Sequence, residues 1–163
     1  MATRFIFTPL SAEFPASNAP ALDLVNRRPV LWFDASTDET CYFTGIAPQG
    51  LTGTITVVIT CLMASATSGA VGIQAQLEAI TDGDATDLDA TTSFDSVNNS
   101  SSTTVPGTAG YIDQISITMS NADSLAAGDL FRLSINRDAN GSAITDSATG
   151  DLGILAVEFR DSA

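Results

Sequence analysis

The sequence predicts an all-β fold: an antiparallel two-sheet sandwich, a jelly roll of about eight strands, with an extended N-terminal arm. Three observations predict it. Apolar residues recur with a period of two in segment after segment, as they do when strand side chains alternate between a core and water. Thr, Val and Ile are concentrated in those segments. No long stretch carries the 3.6-residue period of an amphipathic helix.

Taken in order, Arg4–Thr8 is a short first strand. Ser11–Pro29 follows with Pro15, Pro20 and Pro29, which remove backbone donors and so predict an extended arm rather than a sheet interior. Val30–Phe33 and Thr40–Gly45 are the next strands. In Leu51–Met63, Leu51, Ile55, Val57, Ile59, Cys61 and Met63 share one face, and Thr52, Thr54, Thr56 and Thr60 share the wet one. In Ala70–Ile80, Val71, Ile73, Ala75, Leu77 and Ala79 oppose Gln74, Gln76 and Glu78. Thr81–Gly110 reads as a long loop, with a short edge strand expected in "TTSFDSV" around Phe94 and Val97. Ile115, Ile117 and Met119 alternate with polar residues in the next strand. Asn121–Asp129 is the best helical candidate, a single turn ended by Gly128. Phe131, Leu133 and Ile135 oppose Arg132, Ser134 and Asn136. The last strand, Leu152–Arg160, carries Leu155, Val157 and Phe159 on one face and Ile154 and Ala156 on the other. One domain spans 1–163: residues 1–29 form the arm and first strand, and 30–163 the sandwich core with the long loop 82–110.

Composition narrows function. Nineteen acidic residues face six basic ones, all arginine, for a net charge of −13. That field repels phosphate backbones and anionic bilayers, so neither nucleic acid nor a membrane is an expected partner. No apolar run reaches the length of a membrane span. The first residues lack the apolar core of a secretion signal, and two cysteines do not make a disulfide framework, so synthesis in a reducing cytoplasm is expected.

Catalytic chemistry finds little to use. Without histidine, no Ser-His-Asp or Cys-His arrangement can form within the chain. Without lysine there is neither a Schiff base nor a phosphate-binding P-loop. No enzyme is expected, and no cofactor. Asp82, Asp84, Asp87 and Asp89 are weak calcium candidates; their spacing lacks the closing Glu and the correctly placed Gly of an EF-hand, so a solvated turn is the expectation. Cys41 and Cys61 lie on apolar faces and are expected as free, buried thiols. Trp32 and Tyr42 serve either packing or a sugar platform. Arg137 shares an inward face and would need an acidic partner if buried. Arg27 and Arg28 stand where the arm meets the core, open to water or to an acidic partner such as another copy of the chain. The candidate contact residues are Arg4, Phe5, Phe14, Arg27, Arg28 and Phe94.

Four stretches resemble, in order, small jelly-roll virion proteins of tailed bacteriophages: "RPVLWFDASTDETCYFTGIAP" (Arg28–Pro48), "SATSGAVGIQAQLEA" (Ser65–Ala79), "LAAGDLFRLSINRDA" (Leu125–Ala139) and "SATGDLGILAVEFRD" (Ser147–Asp161). The resemblance implies a capsid decoration or cement protein on the virion surface, a homotrimer seated on the major capsid protein. It transfers no functional residue, because that group has no defined active site. On this reading the arm clamps a neighbour, and removing residues 1–28 should leave a folded domain that fails to bind capsids. A tail-associated carbohydrate- or receptor-binding module is the alternative, and a glycoside-cleaving enzyme a distant third.

Overall fold

The computed structural model describes residues 1–90 and 92–162. Among them are twelve strands: β1 (Ala2–Phe7), β2 (Ala21–Val25), β3 (Arg28–Phe33), β4 (Glu39–Ile46), β5 (Ile55–Met63), β6 (Ala70–Val71), β7 (Ile73–Ile80), β8 (Asn98–Asn99), β9 (Thr103–Thr104), β10 (Asp113–Met119), β11 (Leu130–Arg137) and β12 (Leu152–Asp161). A six-stranded sheet runs β10-β5-β12-β3-β2, with β1 also on β12. A four-stranded sheet runs β4-β11-β7-β8, and β6 pairs with β9 apart from both. All these pairings are antiparallel. The chain is an antiparallel β-sandwich of the jelly-roll class.

The inward faces are those the alternation marks except on β12, where a bulge between Ile154 and Ala156 turns Ile154 inward with Val157 and Phe159 and leaves Leu155, expected on their face, outside the core cluster. Val57, Ile59 and Cys61 of β5, Ile115 and Ile117 of β10, Leu133 and Ile135 of β11, and Ala75 and Leu77 of β7 all join one buried cluster. At one end of the sandwich the filling is aromatic. Phe131 stacks on Phe159 at 5.0 Å and Phe7 on Phe43 at 5.2 Å, while Phe5 meets Phe131 edge-on at 5.6 Å. Gly45 makes room for this stack, since a Cβ there would lie 2.9 Å from the Phe131 ring.

Phe5 and Phe7 come from the N-terminal segment. That segment is extended, but it lies against the chain's own sandwich rather than projecting from it. β1 pairs with the end of β12, and Arg4 Nε donates to the buried Asp161 carboxylate at 2.9 Å. Residues 13–18 then run along the edge of β4, where Glu13 and Tyr42 exchange backbone bonds and Thr40 N–H donates to Asn18. An uncovered sheet edge invites pairing with other chains, and here the chain covers it itself. β2 and β3 close the segment as a hairpin. Pro29 fits β3 because it faces Leu24 at the non-hydrogen-bonded position next to the turn-closing Val25–Arg28 pair, and on its other side β12 pairs only with Leu31–Phe33, so no ladder bond is lost at residue 29.

Three further expectations change. The Thr face of β5 is covered: Thr56, Val58 and Leu62 are buried, and Glu158 and Arg160 of β12 stand beside Val58 and Thr56 and pair with each other. No strand forms in 92–97. Ser93 N–H instead donates to the buried Glu78 carboxylate and Asp95 N–H to Leu77, so pairing begins only at Asn98. Asn121–Asp129 makes turns rather than a helix, because Asp123 and Ser124 adopt φ of 49° and 55° in the left-handed region.

Candidate binding trough

Residues of even number on β4, β11 and β7 face away from the core, and the two registers align them in four rows. The first row is Thr40–Asn136–Gln74 and the second Tyr42–Ser134–Gln76. The third is Thr44–Arg132–Glu78 and the fourth Ile46–Leu130–Ile80. The outer face therefore grades from amide, through aromatic and charged, to apolar across four rows.

Over the first two rows lies a trough of about 240 Å³. Its floor is uncharged and hydrogen-bonding: Thr40, Gln74, Gln76, Ser134 and Asn136. The amides are oriented by the fold. Asn136 Nδ2 donates to the Glu39 carbonyl and to Thr40 Oγ1, Gln76 Nε2 to the Asp95 carbonyl at 3.0 Å, and Gln74 Nε2 to Asn99 Oδ1 at 3.2 Å. Gln74 and Gln76 each commit one N–H this way, which sets the amide plane and leaves the rest of the group for a ligand.

One wall is aromatic. Phe94 stacks on Tyr42 at 5.7 Å, and the Arg132 guanidinium lies 4.7 Å from the Tyr42 ring centre and 5.6 Å from that of Phe94. Arg132 also sits 3.7 Å from Glu13 and from Glu78. Phe94 is held by its neighbours: Asp95 accepts N–H bonds from Asp123 and Ser96, and those bonds keep its carboxyl below the ordinary value. Asp38 stands at the far rim, where it accepts from Asn140.

The sequence candidates disperse. Phe94 enters the trough. Phe14 is half exposed on the segment that borders β4, while Arg4 and Phe5 are engaged within the fold. Arg27 and Arg28 are exposed at the β2–β3 turn. Trp32 does not join Tyr42 in one platform. It lies on β3 of the other sheet, over Gly153, where a Cβ would come within 2.5 Å of its ring. Asp84 accepts from Thr81 N–H and Asp87 from Asp89 N–H, as turn residues do; among the described residues no three acidic, Cys or His side chains gather as metal ligands. Both thiols are free and buried, Cys41 and Cys61 facing the core from opposite sheets. Burial pushes the Cys61 thiol up to about 12 and that of Cys41 higher still.

The floor residues Gln74, Gln76, Ser134 and Asn136 were readable only as a wet strand face. Their convergence depends on β11 lying between β4 and β7, which no local pattern encodes.

No family model matches the chain, and no curated protein does. Among solved structures it is similar to the potassium-bound Emp46p carbohydrate recognition domain, with 14% identity, a TM-score of 0.43, and 89% of this chain and 88% of that one covered. It is also similar to TmCBM61 in complex with beta-1,4-galactotriose, with 10% identity, a TM-score of 0.41, and 97% and 88% covered. At these identities and scores neither structure says what this chain binds.

Proposed function

We propose that the chain is a non-enzymatic recognition protein, and that the trough on its four-stranded sheet takes up a neutral glycan. The observation that carries this reading is the pairing of an aromatic wall with an uncharged, hydrogen-bonding floor. A sugar ring has apolar C–H faces and a girdle of hydroxyls, so it is complementary to stacked rings beside oriented amides. Anionic sugars fit less well, given Asp38 at the rim and a net charge of −13.

Calorimetry against a panel of neutral oligosaccharides tests the reading. Binding in the micromolar to millimolar range is expected for at least one ligand, about −8 to −4 kcal/mol. Tyr42→Ala or Gln76→Ala should remove it without changing the melting temperature by more than a few degrees. Absence of binding across the panel, or binding unaffected by both substitutions, would retire the proposal.

A second reading, favoured by the four stretches similar to phage virion proteins, sets the domain on a capsid. There it would decorate the major capsid protein as a self-associated trimer, and many weak contacts would add to firm attachment. Addition of purified protein to particles that lack it should restore heat resistance, and trough substitutions should not matter. The two readings part on that last result.

A further inference from the structure

Four of the six arginines are ion-paired within the fold: Arg4 with Asp161, Arg132 with Glu13 and Glu78, Arg137 with Asp146, and Arg160 with Glu158. Among the described residues, Arg27 and Arg28 have no carboxylate partner. Arg28 donates only to the Asn26 carbonyl, at 3.3 Å. In a chain of nineteen acids, the two arginines not ion-paired among the described residues are thus adjacent, at the tip of one hairpin.

The tip is a two-residue turn in which Asn26 and Arg27 take φ of 46° and 68°. Glycine adopts that conformation without strain, and Asn-Gly is the usual occupant of such a turn. An arginine there is held against its backbone preference, which is a reason to look for a use of its side chain. β2 is the outermost strand of its sheet, and Leu22 and Leu24 on it are 47% and 62% exposed. The hairpin is therefore an apolar edge with a cationic tip.

A surface of opposite character lies on the outer face of the other sheet. The apolar row Ile46–Leu130–Ile80 floors a hollow of about 360 Å³, rimmed by Asp82 and Asp84. Ile46 is 55% exposed, and Leu88, also exposed, stands beside Leu130 and Ile80. Leu22 and Leu24 pair with Leu31, a core residue, and Pro29, and so share the core-side face of the larger sheet's overhanging edge, whereas the hollow lies on the outer face of the other sheet and no hairpin residue lines it, so the two do not meet within one chain.

We propose that the β2–β3 hairpin of one copy docks in the Ile46–Leu130–Ile80 hollow of a second copy, Leu22 and Leu24 against the apolar row and Arg27 and Arg28 against Asp82 and Asp84. Charge complementarity selects the occupant: an acidic chain that keeps two unpaired cations on an apolar projection fits the acid-rimmed apolar hollow that it also carries. The contact joins two different surfaces, so it is heterologous and gives a closed ring when the rotation between copies closes, or a filament when it does not. The proposal deepens the self-association of the second reading and is independent of what fills the trough.

Sedimentation velocity of the full chain at about 10–100 µM, at low and at high salt, is the test. The wild type should assemble, and assembly should weaken as salt rises. The R27E/R28E chain should associate at least about tenfold more weakly. D82R/D84R should do the same, and the chain carrying both pairs of exchanges should recover assembly. Circular dichroism melting of each variant establishes that it folds. A wild-type chain that is monomeric throughout, an R27E/R28E chain that assembles normally, or a folded double exchange that stays apart would each overturn the proposal. Capsid or glycan binding by such a monomer would leave the function standing and remove only the self-contact.

Discussion

Arg137 shows how this fold treats a charge in its interior. Its side chain is fully buried, and five hydrogen bonds match its five N–H donors: two to Asp146, and one each to the carbonyls of Phe33, Ala148 and Gly150. Removing one partner would strand the other, so Arg137→Ala or Asp146→Ala should cost about 3–5 kcal/mol in denaturant unfolding. Asp138 organises the same loop. Burial pushes its pKa up, but N–H bonds from Ile144, Ala143 and Ser142, with the Ser142 hydroxyl, outweigh burial and hold it below the ordinary value. A depressed carboxylate stabilises the fold above its unfolded pKa, and that contribution is lost as pH falls through the folded one. Stability should therefore decline below the ordinary Asp value of 3.8. Asp138→Asn should be weaker at pH 7 and show a shallower decline in acid, as followed by fluorescence melting. The raised thiols predict a third outcome: Cys41 and Cys61 should resist a thiol reagent in native protein and react with it on unfolding.

At the scale of elements, the N-terminal segment behaves as part of the sandwich. Removing residues 1–28 would take away β1, β2 and the cover of the β4 edge, together with Phe5 and Phe7 from the aromatic stack. A single large-to-small change at a buried Phe costs about 3–5 kcal/mol. The truncated chain should therefore melt far lower or aggregate, rather than persist as a folded domain; thermal unfolding beside the full chain measures this. The sequence made the long strands legible because the core face of each is apolar at nearly every second residue, even on β5, whose other face is covered as well: β5, β7, β10, β11 and β12 lie where the alternation puts them, within a few residues. It made β2, β8 and β9 illegible. β2 buries almost nothing, and β8 and β9 have two residues each, too few to display a period. The edge strand expected around Phe94 failed because Glu78 and Gln76 reach across as side chains and take bonds a ladder would have used.

For the molecule as a whole, the trough was half visible. Tyr42 and Phe94 stood out as aromatics, but their meeting depends on the long loop folding back over β7, a tertiary event with no local signature. The charge balance was visible and its distribution was not. Only the fold shows that four arginines are consumed internally and that two remain together. Another consequence of the architecture concerns synthesis. β12 comes after every other described strand in the chain, yet β5, β3 and β1 all pair with it, and it stands in the middle of the larger sheet. Until its ten residues leave the ribosome, three strands lack their common neighbour. Nascent chains stalled before Leu152 should be readily cut by protease, and chains extended past Asp161 and clear of the ribosome should become resistant in one step.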